Sequence, residues 1–244
     1  MAEAGKLKVT VNDSESVTAM LYPAAKKDRA RITIILGHGA GADQLSGFMR
    51  MAAAGLASRG LDVMTFNFIY KEKGKSVPDP KAKLEACYRA VIDAAVKHKK
   101  LKGNKLVIGG KSMGGRIASQ VAAELADGNL KSEISDRKFD ISDRELIGGL
   151  VFLGYPLHPP GRPDKLRDEH LPKIKAPMLF VQGSRDAFGT EEEIRAIIRK
   201  HRLKAELYVV ESGDHSFKVP KSIKPPSQVY EEVMDEVARW CREV

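Results

Sequence analysis

Short apolar runs alternate with amphipathic stretches along most of the chain. The runs are rich in valine and isoleucine and predict eight β-strands, whereas the stretches carry an apolar residue every three or four positions and predict five helices. This alternation is typical of a parallel sheet whose strands are joined by crossover helices. The predicted strands are residues 8–11, 17–22, 32–37, 62–67, 105–109, 149–153, 178–182 and 206–210, and the predicted helices are 46–59, 80–99, 113–126, 191–201 and 228–242.

Turn and cap signals refine this pattern at three places. Residues 12–14, with the sequence Asn-Asp-Ser, lie between the first two strands and predict a turn, so these strands are expected to form an antiparallel hairpin at the sheet edge. Asp79 followed by Pro80 predicts an N-cap and a proline in the first helical turn. Thr190 and Glu193 predict a capping box at the start of the helix 191–201.

The composition is typical of a folded soluble protein. The chain has 244 residues, of which 43% are apolar and 30% are charged. No repeat or Ser/Gly linker divides it, so we expect a single α/β domain over residues 1–244, with helices on both faces of a mostly parallel central sheet. Neither a membrane span nor a signal peptide is predicted, which favours a cytoplasmic protein. Cys87 and Cys241 lie in predicted helices and indicate neither a disulfide framework nor a metal site.

The most informative motif is Gly110-Lys111-Ser112-Met113-Gly114, which matches G-x-S-x-G between a predicted strand and a predicted helix. A serine on such a sharp turn has strained backbone angles, and glycine on either side prevents side-chain clashes. The turn projects the hydroxyl above the sheet, next to the positive end of the helix. Ser112 is therefore predicted to be a nucleophile; the alternative is a serine that only caps the helix after a glycine turn.

A serine nucleophile needs a base, and the base needs an acid that orients it. Asp186 comes just after the predicted strand 178–182, and His215 comes just after the strand 206–210. Because the carboxyl ends of parallel strands lie at one edge of a sheet, we expect both side chains to converge on Ser112. Asp214 is an alternative acid, but it adjoins His215, and sequence neighbours seldom place a carboxylate on the imidazole's own nitrogen.

Two further groups of residues are predicted around these three. Backbone N–H groups stabilise the oxyanion in acyl transfer, and Met113, directly after the serine, is one predicted donor. The loop after the strand 32–37 is built of small residues; Ala40, and after it Gly41, is the predicted second donor, and His38 is expected to orient this loop. Three aromatic residues beside the predicted catalytic loops either line a substrate pocket or pack locally, namely Tyr155, Phe188 and Phe217.

Two nucleotide-binding motifs partly match these segments, but each lacks one of the residues that the motif requires. Residues 37–42 fit a loose dinucleotide-binding pattern, but Asn67 stands where an acidic residue is expected at the end of the second strand. Residues 110–112 resemble the end of a phosphate-binding loop, but the first glycine of that motif would fall at Lys105. No H-E-x-x-H or comparable spacing occurs, so no metal and no cofactor are predicted.

With these motifs, the chain resembles the α/β-hydrolase superfamily over nearly its whole length, and more narrowly the compact dienelactone-hydrolase-like group. Residues 38–41, 110–115 and 154–161 are also similar to the hydrolase-like subunit of a chromatin acetyltransferase complex and its small relatives. The resemblance implies an α/β-hydrolase fold and a serine hydrolase with Ser112, Asp186 and His215 as its catalytic triad. Dienelactone hydrolase itself has a cysteine nucleophile where this chain has Ser112.

The expected function is hydrolysis of carboxylic esters or related acyl compounds through an acyl-enzyme. Two inserts flank the strand 149–153. Residues 127–145, before the strand, are highly polar, and residues 156–175, after it, are rich in proline. Neither has the apolar face of a lid that covers a fatty chain, so little or no lid and a small or soluble substrate are expected. The alternative is a non-catalytic interaction or scaffold module with the same fold, because fold does not fix function.

The net charge bears on possible partners. The chain carries 41 Lys+Arg against 32 Asp+Glu, a formal charge of +9, and residues 71–105 hold eleven of the basic residues against four acidic ones. Lys71, Lys73 and Lys75 follow a strand at the edge that carries Ser112 and are expected to attract an anionic substrate. The basic residues 97–102 come at a helix end at the opposite edge. No helix-turn-helix, base-stacking or zinc pattern favours nucleic acid.

Overall fold

The computed structural model describes residues 4–127 and 146–244, and the elements in these ranges follow the predicted order. Apart from its first residue, the insert at 127–145 lies outside the described residues. The strands are β1 (Gly5–Asn12), β2 (Glu15–Tyr22), β3 (Ile32–Gly37), β4 (Asp62–Phe66), β5 (Lys105–Lys111), β6 (Ile147–Leu153), β7 (Met178–Gly183) and β8 (Ala205–Val210). The helices are α1 (Gly47–Ser58), α2 (Ile69–Glu72), α3 (Lys81–Lys97), α4 (Met113–Asp127), α5 (Glu191–His201) and α6 (Pro226–Glu243).

The eight strands form one sheet in the order β1-β2-β4-β3-β5-β6-β7-β8. β1 and β2 form the predicted antiparallel hairpin at the edge, β2 also pairs antiparallel with β4, and the other neighbours run parallel. The register places Gly37 opposite Gly110, where β3 and β5 end. The carboxyl ends of β3 to β8 therefore share one edge, and the loops after β3, β5, β7 and β8 meet there.

Helices cover both faces of the sheet. α1 and α6 pack against one face, in a core that contains the fully buried Trp240, and α3, α4 and α5 pack against the other. Along β5, Val107 lies in the first core and Ile108 in the second, because successive residues of a strand point to opposite faces. The predicted α/β class, a mostly parallel sheet between two helical layers, is confirmed. Within the described ranges, no helix is long and apolar enough to cross a membrane.

One of the two predicted helix caps is present. Thr190 and Glu193 form the capping box, with each side chain bonded to the backbone N–H of the other residue. The N-cap prediction at Asp79 is wrong, because α3 begins one residue later and Pro80, which has no side-chain acceptor, occupies the N-cap position with an extended ψ of 152°. The short helix α2 was not predicted, since four residues are too few to establish a helical period.

The segment between β6 and β7 packs against the body of the protein. Leu157 and Leu171 are fully buried. The Oγ of Ser119 in α4 lies 2.7 Å from the Nε2 of His170, which holds the segment against that helix. Burial lowers the pKa of His170 to about 4, so this contact involves a neutral imidazole. The segment is thus an ordered part of the helical layer rather than a separate lid domain.

Candidate active site

The turn between β5 and α4 places Ser112 above the sheet. Ser112 has a φ of +51°, in the left-handed region that a serine seldom adopts, and its N–H donates to the Leu153 carbonyl oxygen at 3.1 Å. The turn also comes very close to β3, because a Cβ on Gly114 would lie 2.1 Å from the carbonyl oxygen of Gly37. The second glycine of the G-x-S-x-G motif is therefore required by the contact between α4 and β3.

Ser112, His215 and Asp186 form a continuous chain of hydrogen bonds. The Oγ of Ser112 lies 2.8 Å from the Nε2 of His215, and the Nδ1 of His215 lies 2.7 Å from the Oδ2 of Asp186. An Nδ1–H that donates to the carboxylate leaves Nε2 as the acceptor for the serine hydroxyl. The structure thus brings together the three side chains that the strand-end argument selected.

The Asp186 carboxylate is fully buried and receives donors from three directions. Besides His215, the side-chain amide of Gln182 donates to Oδ2 at 2.8 Å, and the Phe188 N–H donates to Oδ1 at 2.8 Å. The same amide of Gln182 donates to the Gly189 carbonyl at 2.8 Å, so it also holds the loop in place. Sequence reasoning missed Gln182; the signal was a polar residue near the end of an otherwise apolar, fully buried strand.

Asp214 does not orient His215. Its Oδ1 accepts hydrogen bonds from the N–H groups of Ser216 at 2.8 Å and Lys218 at 2.9 Å, which closes a turn within its own loop. Its carboxylate is thereby committed to backbone donors next to His215 rather than to the imidazole. The alternative acid considered from the sequence is therefore wrong, and Asp186 occupies that position.

The loops that carry Asp186 and His215 are joined to each other at Ser212. The Arg185 guanidinium donates to the Ser212 carbonyl oxygen through Nε at 3.0 Å and Nη2 at 2.7 Å. The Ser212 N–H donates to the Ser184 Oγ at 2.8 Å. Ser212 has a φ of +57°, so a strained residue is held between two side chains of the neighbouring loop. These contacts fix the spacing between the two loops.

The loop after β3 passes directly beside the serine. A Cβ on Gly39 would lie 3.6 Å from the Cβ of Ser112. The fully buried His38 ring accepts a hydrogen bond from the Phe68 N–H at Nε2, so its Nδ1, 2.9 Å from the Gly39 carbonyl oxygen, is the protonated nitrogen. Burial lowers the pKa of His38 to about 4. His38 is therefore a neutral residue that orients the loop.

The far end of this loop is fixed by Gln44, which sequence reasoning also missed. Its N–H donates to the Asn67 side chain at 2.9 Å, and its side-chain amide donates to the Thr18 carbonyl oxygen at 3.0 Å. Ala40 and Gly41, between the two anchors, are exposed. Met113 is the first residue of α4, so its N–H has no acceptor within the helix. The positions of Met113, Ala40 and Gly41 are compatible with their predicted role as oxyanion donors, which stays a prediction.

The three predicted pocket aromatics have different surroundings. The ring of Phe188 is partly exposed and lies 4.3 Å from the ring of His215, centroid to centroid, so Phe188 borders the site. Tyr155 is fully buried between core rings, and its hydroxyl donates to the Arg167 carbonyl oxygen at 2.8 Å. Phe217 is also buried, with its ring against Phe48. The prediction that Tyr155 and Phe217 line a pocket is wrong, because both side chains pack in the interior.

The site joins a hydroxyl, an imidazole and a carboxylate, and the described residues show no arrangement for binding a metal. Over residues 4–127 and 146–244, no group of three or more His, Cys, Asp and Glu side chains is arranged to hold a metal ion. The two cysteines are buried, and burial raises the pKa of both thiols. The hydroxyl of Ser112, with its imidazole partner, is the group at this sheet edge that is suited to attack a substrate.

Comparison with known proteins places the chain in a family. The sequence model for an "alpha/beta hydrolase domain" matches residues 30–242. Similar solved structures include a serine hydrolase homologue from Coxiella burnetii (17% identity, TM-score 0.71, 98% of each chain covered). They also include dienelactone hydrolase from Anabaena variabilis (19% identity, TM-score 0.68, 98% of this chain and 96% of that one). A third is a serine hydrolase without a lid from Xanthomonas campestris (16% identity, TM-score 0.68, 98% and 96%). The chain belongs to the α/β-hydrolase family.

Proposed function

We propose that this protein is a serine hydrolase that cleaves carboxylic esters or related acyl compounds. The observation that carries the proposal is the unbroken hydrogen-bond chain from Asp186 through His215 to Ser112, with the serine on a strained strand-to-helix turn. Membership of the α/β-hydrolase family supports it, and so does the similarity to solved serine hydrolases. No metal or cofactor takes part in the proposed reaction.

The reaction begins with attack of the Ser112 Oγ on the substrate carbonyl carbon. His215 removes the hydroxyl proton through Nε2 as the bond forms, and the buried Asp186 carboxylate stabilises the imidazolium. The negative charge on the carbonyl oxygen is stabilised by the N–H groups of Met113 and of Ala40 or Gly41. His215 then returns the proton to the leaving group, and the tetrahedral intermediate collapses to an acyl-enzyme.

Water completes the cycle by the same route in reverse. His215 takes a proton from the water, which attacks the acyl carbon, and the proton returns to the Ser112 Oγ as the acid product leaves. The partly exposed Phe188, beside the imidazole, offers an apolar surface next to the reacting atoms. The packing of the segment between β6 and β7 against α4, together with the predicted lack of a lid, favours a small or soluble acyl substrate.

A fluorophosphonate probe tests the proposal, because it reacts only with a serine whose hydroxyl is activated by a base. We expect the wild-type protein to be labelled on the peptide that contains Ser112, and to hydrolyse at least one short p-nitrophenyl ester. Ser112→Ala should not be labelled, whereas Ser58→Ala, which changes an exposed serine in α1, should be labelled like the wild type.

The scaffold alternative makes the opposite prediction for the same samples. A wild-type protein that is neither labelled nor faster than Ser112→Ala on any ester would overturn the hydrolase proposal. A stable stoichiometric partner recovered equally by both proteins would then favour the scaffold function.

The basic segment after β4 leads to a prediction about substrate charge. Lys73 is paired with Glu15, so its charge is compensated, whereas Lys71 lies beside Tyr70 and Lys75 is exposed. We therefore propose that Lys71 and Lys75, of the three lysines first considered, attract anionic substrates. Replacing both with glutamine should lower kcat/KM for an anionic ester about 5-fold at low ionic strength, because electrostatic attraction raises the encounter rate.

The controls for this prediction separate attraction from damage to the site. A neutral ester should be hydrolysed at the wild-type rate by the same double variant. Replacing Lys97 and Lys99, which are exposed at the opposite sheet edge, should change neither rate. An unchanged salt dependence of kcat/KM on the anionic ester in the Lys71/Lys75 variant would contradict the role of these lysines.

A further inference from the structure

Lys111, the residue before Ser112, makes a contact that its place in the motif does not predict. Its Nζ donates a hydrogen bond to the main-chain carbonyl oxygen of His215 at 2.5 Å. The contact joins the end of β5 to the loop after β8, across 104 positions of sequence. The ammonium also lies 5.2 Å from the ring centroid of Phe217 and 5.9 Å from that of Phe48. A hydrogen bond together with two aromatic rings holds the ammonium in a defined place.

Gly154, directly after β6, leaves the space that the Lys111 ammonium occupies. Gly154 has a φ of +72°, and a Cβ at this position would lie 2.8 Å from the Lys111 Nζ and 3.1 Å from the His215 carbonyl oxygen. Its N–H donates to the Val181 carbonyl oxygen at 2.8 Å, which fixes its place between β6 and β7. The surroundings of this hydrogen bond are therefore formed by three segments, namely the end of β5, the residue after β6 and the loop after β8.

We propose that Lys111 is a positioning residue, which holds the main chain of His215 so that the imidazole stays within hydrogen-bond reach of Ser112. The proposal rests on the proposed hydrolase function. Other hydrogen bonds hold the residues around His215: Ser212 is bonded to the loop that carries Asp186, and Asp214 closes a turn with Ser216 and Lys218. The Tyr230 hydroxyl also donates to the Ser216 carbonyl oxygen, at 3.4 Å. Lys111 instead connects the residue that carries the base directly to the turn that carries the nucleophile.

The charge of Lys111 depends on the groups that face it. Burial lowers the pKa of Lys111 to about 8, although the nearby carboxylates of Asp186 and Asp214 oppose this shift. Two further titratable residues lie nearby. His215 accepts the hydrogen bond from Lys111 with its carbonyl oxygen, and Tyr230 of α6 packs against Phe48, whose ring lies near the Lys111 ammonium. Below pH 8 the contact is a charge-assisted hydrogen bond, about twice as strong as the neutral one that remains above that pH. The rate should therefore decline as Lys111 loses its proton.

Replacing Lys111 with methionine tests the proposal, because methionine keeps much of the apolar stem and removes the donor. We expect kcat to fall about 10- to 100-fold, the cost of a base displaced by up to about 1 Å. KM should change less than 2-fold, since the Lys111 ammonium is already bonded to the His215 carbonyl oxygen. Lys218→Met, which removes an exposed lysine from the same loop, is the matched control and should keep the wild-type kcat.

The pH profile and a chemical rescue distinguish positioning from a general loss of structure. The wild type should lose rate above about pH 8, and Lys111→Met should lack that step. Lys111→Cys treated with 2-bromoethylamine regains a primary amine at nearly the same reach, and should recover most of the wild-type kcat. The native Cys87 and Cys241 are fully buried, so the reagent can be directed to the new thiol.

A substrate-free measurement separates failure of this proposal from failure of the proposed function. In protein labelled with ¹⁵N-histidine, the Nδ1 proton of His215, bonded to Asp186, should give a far-downfield signal that is present in the wild type and in Lys218→Met. In Lys111→Met this signal should broaden or disappear. If the signal and kcat both match the wild type, the positioning role is overturned. If the wild type hydrolyses no ester but its signal is lost in Lys111→Met, the proposed hydrolase function fails and the positioning of His215 by Lys111 stands.

Discussion

Replacing Ser112 with alanine is expected to lower kcat by about 10⁶-fold on any ester that the wild type hydrolyses, because the attacking oxygen is removed and only water remains as a nucleophile. Alanine keeps the small Cβ that the turn accommodates at a φ of +51°, so the fold should be unaffected. The residual rate should come from the groups that remain, namely the predicted N–H donors of the loop after β3 and of α4. Thermal unfolding of the variant at the wild-type temperature would show that only the chemistry was lost.

The double variant Ser112→Ala/His215→Ala makes this prediction sharper. Residues that act as one unit are not additive, so removing the base after the nucleophile should cost little more. Each single variant and the double variant should therefore have similar kcat values, measured with enough enzyme to exceed the buffer rate. Additive losses would mean that Ser112 and His215 act independently, which contradicts the hydrogen bond of 2.8 Å between them.

The sequence allowed the three candidate catalytic residues to be placed because their convergence follows from backbone topology. Ser112, Asp186 and His215 each follow a strand, and parallel strands end at a common edge whatever their side chains are. The strands themselves were recognisable because β3, β4 and β7 are buried along their whole length and consist mostly of apolar residues. The antiparallel hairpin of β1 and β2 was likewise evident from alternation and a turn signal.

The direction in which a loop side chain points could not be predicted in the same way. Tyr155, Phe188 and Phe217 are all close in sequence to the catalytic loops, yet only Phe188 faces the imidazole, while the other two are buried. A loop has no fixed period that relates position to orientation, unlike a strand or a helix. Burial of an aromatic side chain in the core also gains more free energy than leaving it beside an open site.

The contacts that support the site were missed because they depend on how loops fold back on the strands in three dimensions. Gln182 reaches the carboxylate of Asp186 because both flank the end of β7 and the loop folds back, and Lys111 of β5 reaches His215, which follows β8, past the ends of β6 and β7. In the sequence, Lys111 appeared as a variable position of the G-x-S-x-G motif and as part of a resemblance to a phosphate-binding loop. In the structure, the Lys111 ammonium instead lies near two aromatic rings, in the space that Gly154 leaves open. No pattern of residue spacing along the chain predicts these contacts.

Replacing Asp186 with asparagine is expected to lower kcat about 10⁴-fold, by forcing His215 into the wrong tautomer. The Phe188 N–H donates to Oδ1 and therefore requires the amide oxygen of asparagine at that position. The amide NH₂ would then replace Oδ2, where it faces the Gln182 amide and the Nδ1 of His215. His215 can accept a hydrogen bond from this NH₂ only by moving its own proton to Nε2, which removes the acceptor for the Ser112 hydroxyl.

Asp214→Asn is the matched control for this tautomer effect, because Asp214 adjoins His215 but uses one oxygen to accept hydrogen bonds from the backbone N–H groups of Ser216 and Lys218. Asparagine retains such an oxygen, so the turn should be kept. Hydrogen bonds to its neutral amide oxygen are weaker than those to a carboxylate by about a few tenths of a kcal/mol, and kcat should therefore stay within about 3-fold of the wild type. Steady-state kinetics on one ester, together with the ¹⁵N signals of His215, measure the rate and the tautomer in both variants. A loss in Asp214→Asn as large as that in Asp186→Asn would make Asp214 the orienting acid. A wild-type tautomer in a slow Asp186→Asn would instead show that the carboxylate acts through its charge on the imidazolium.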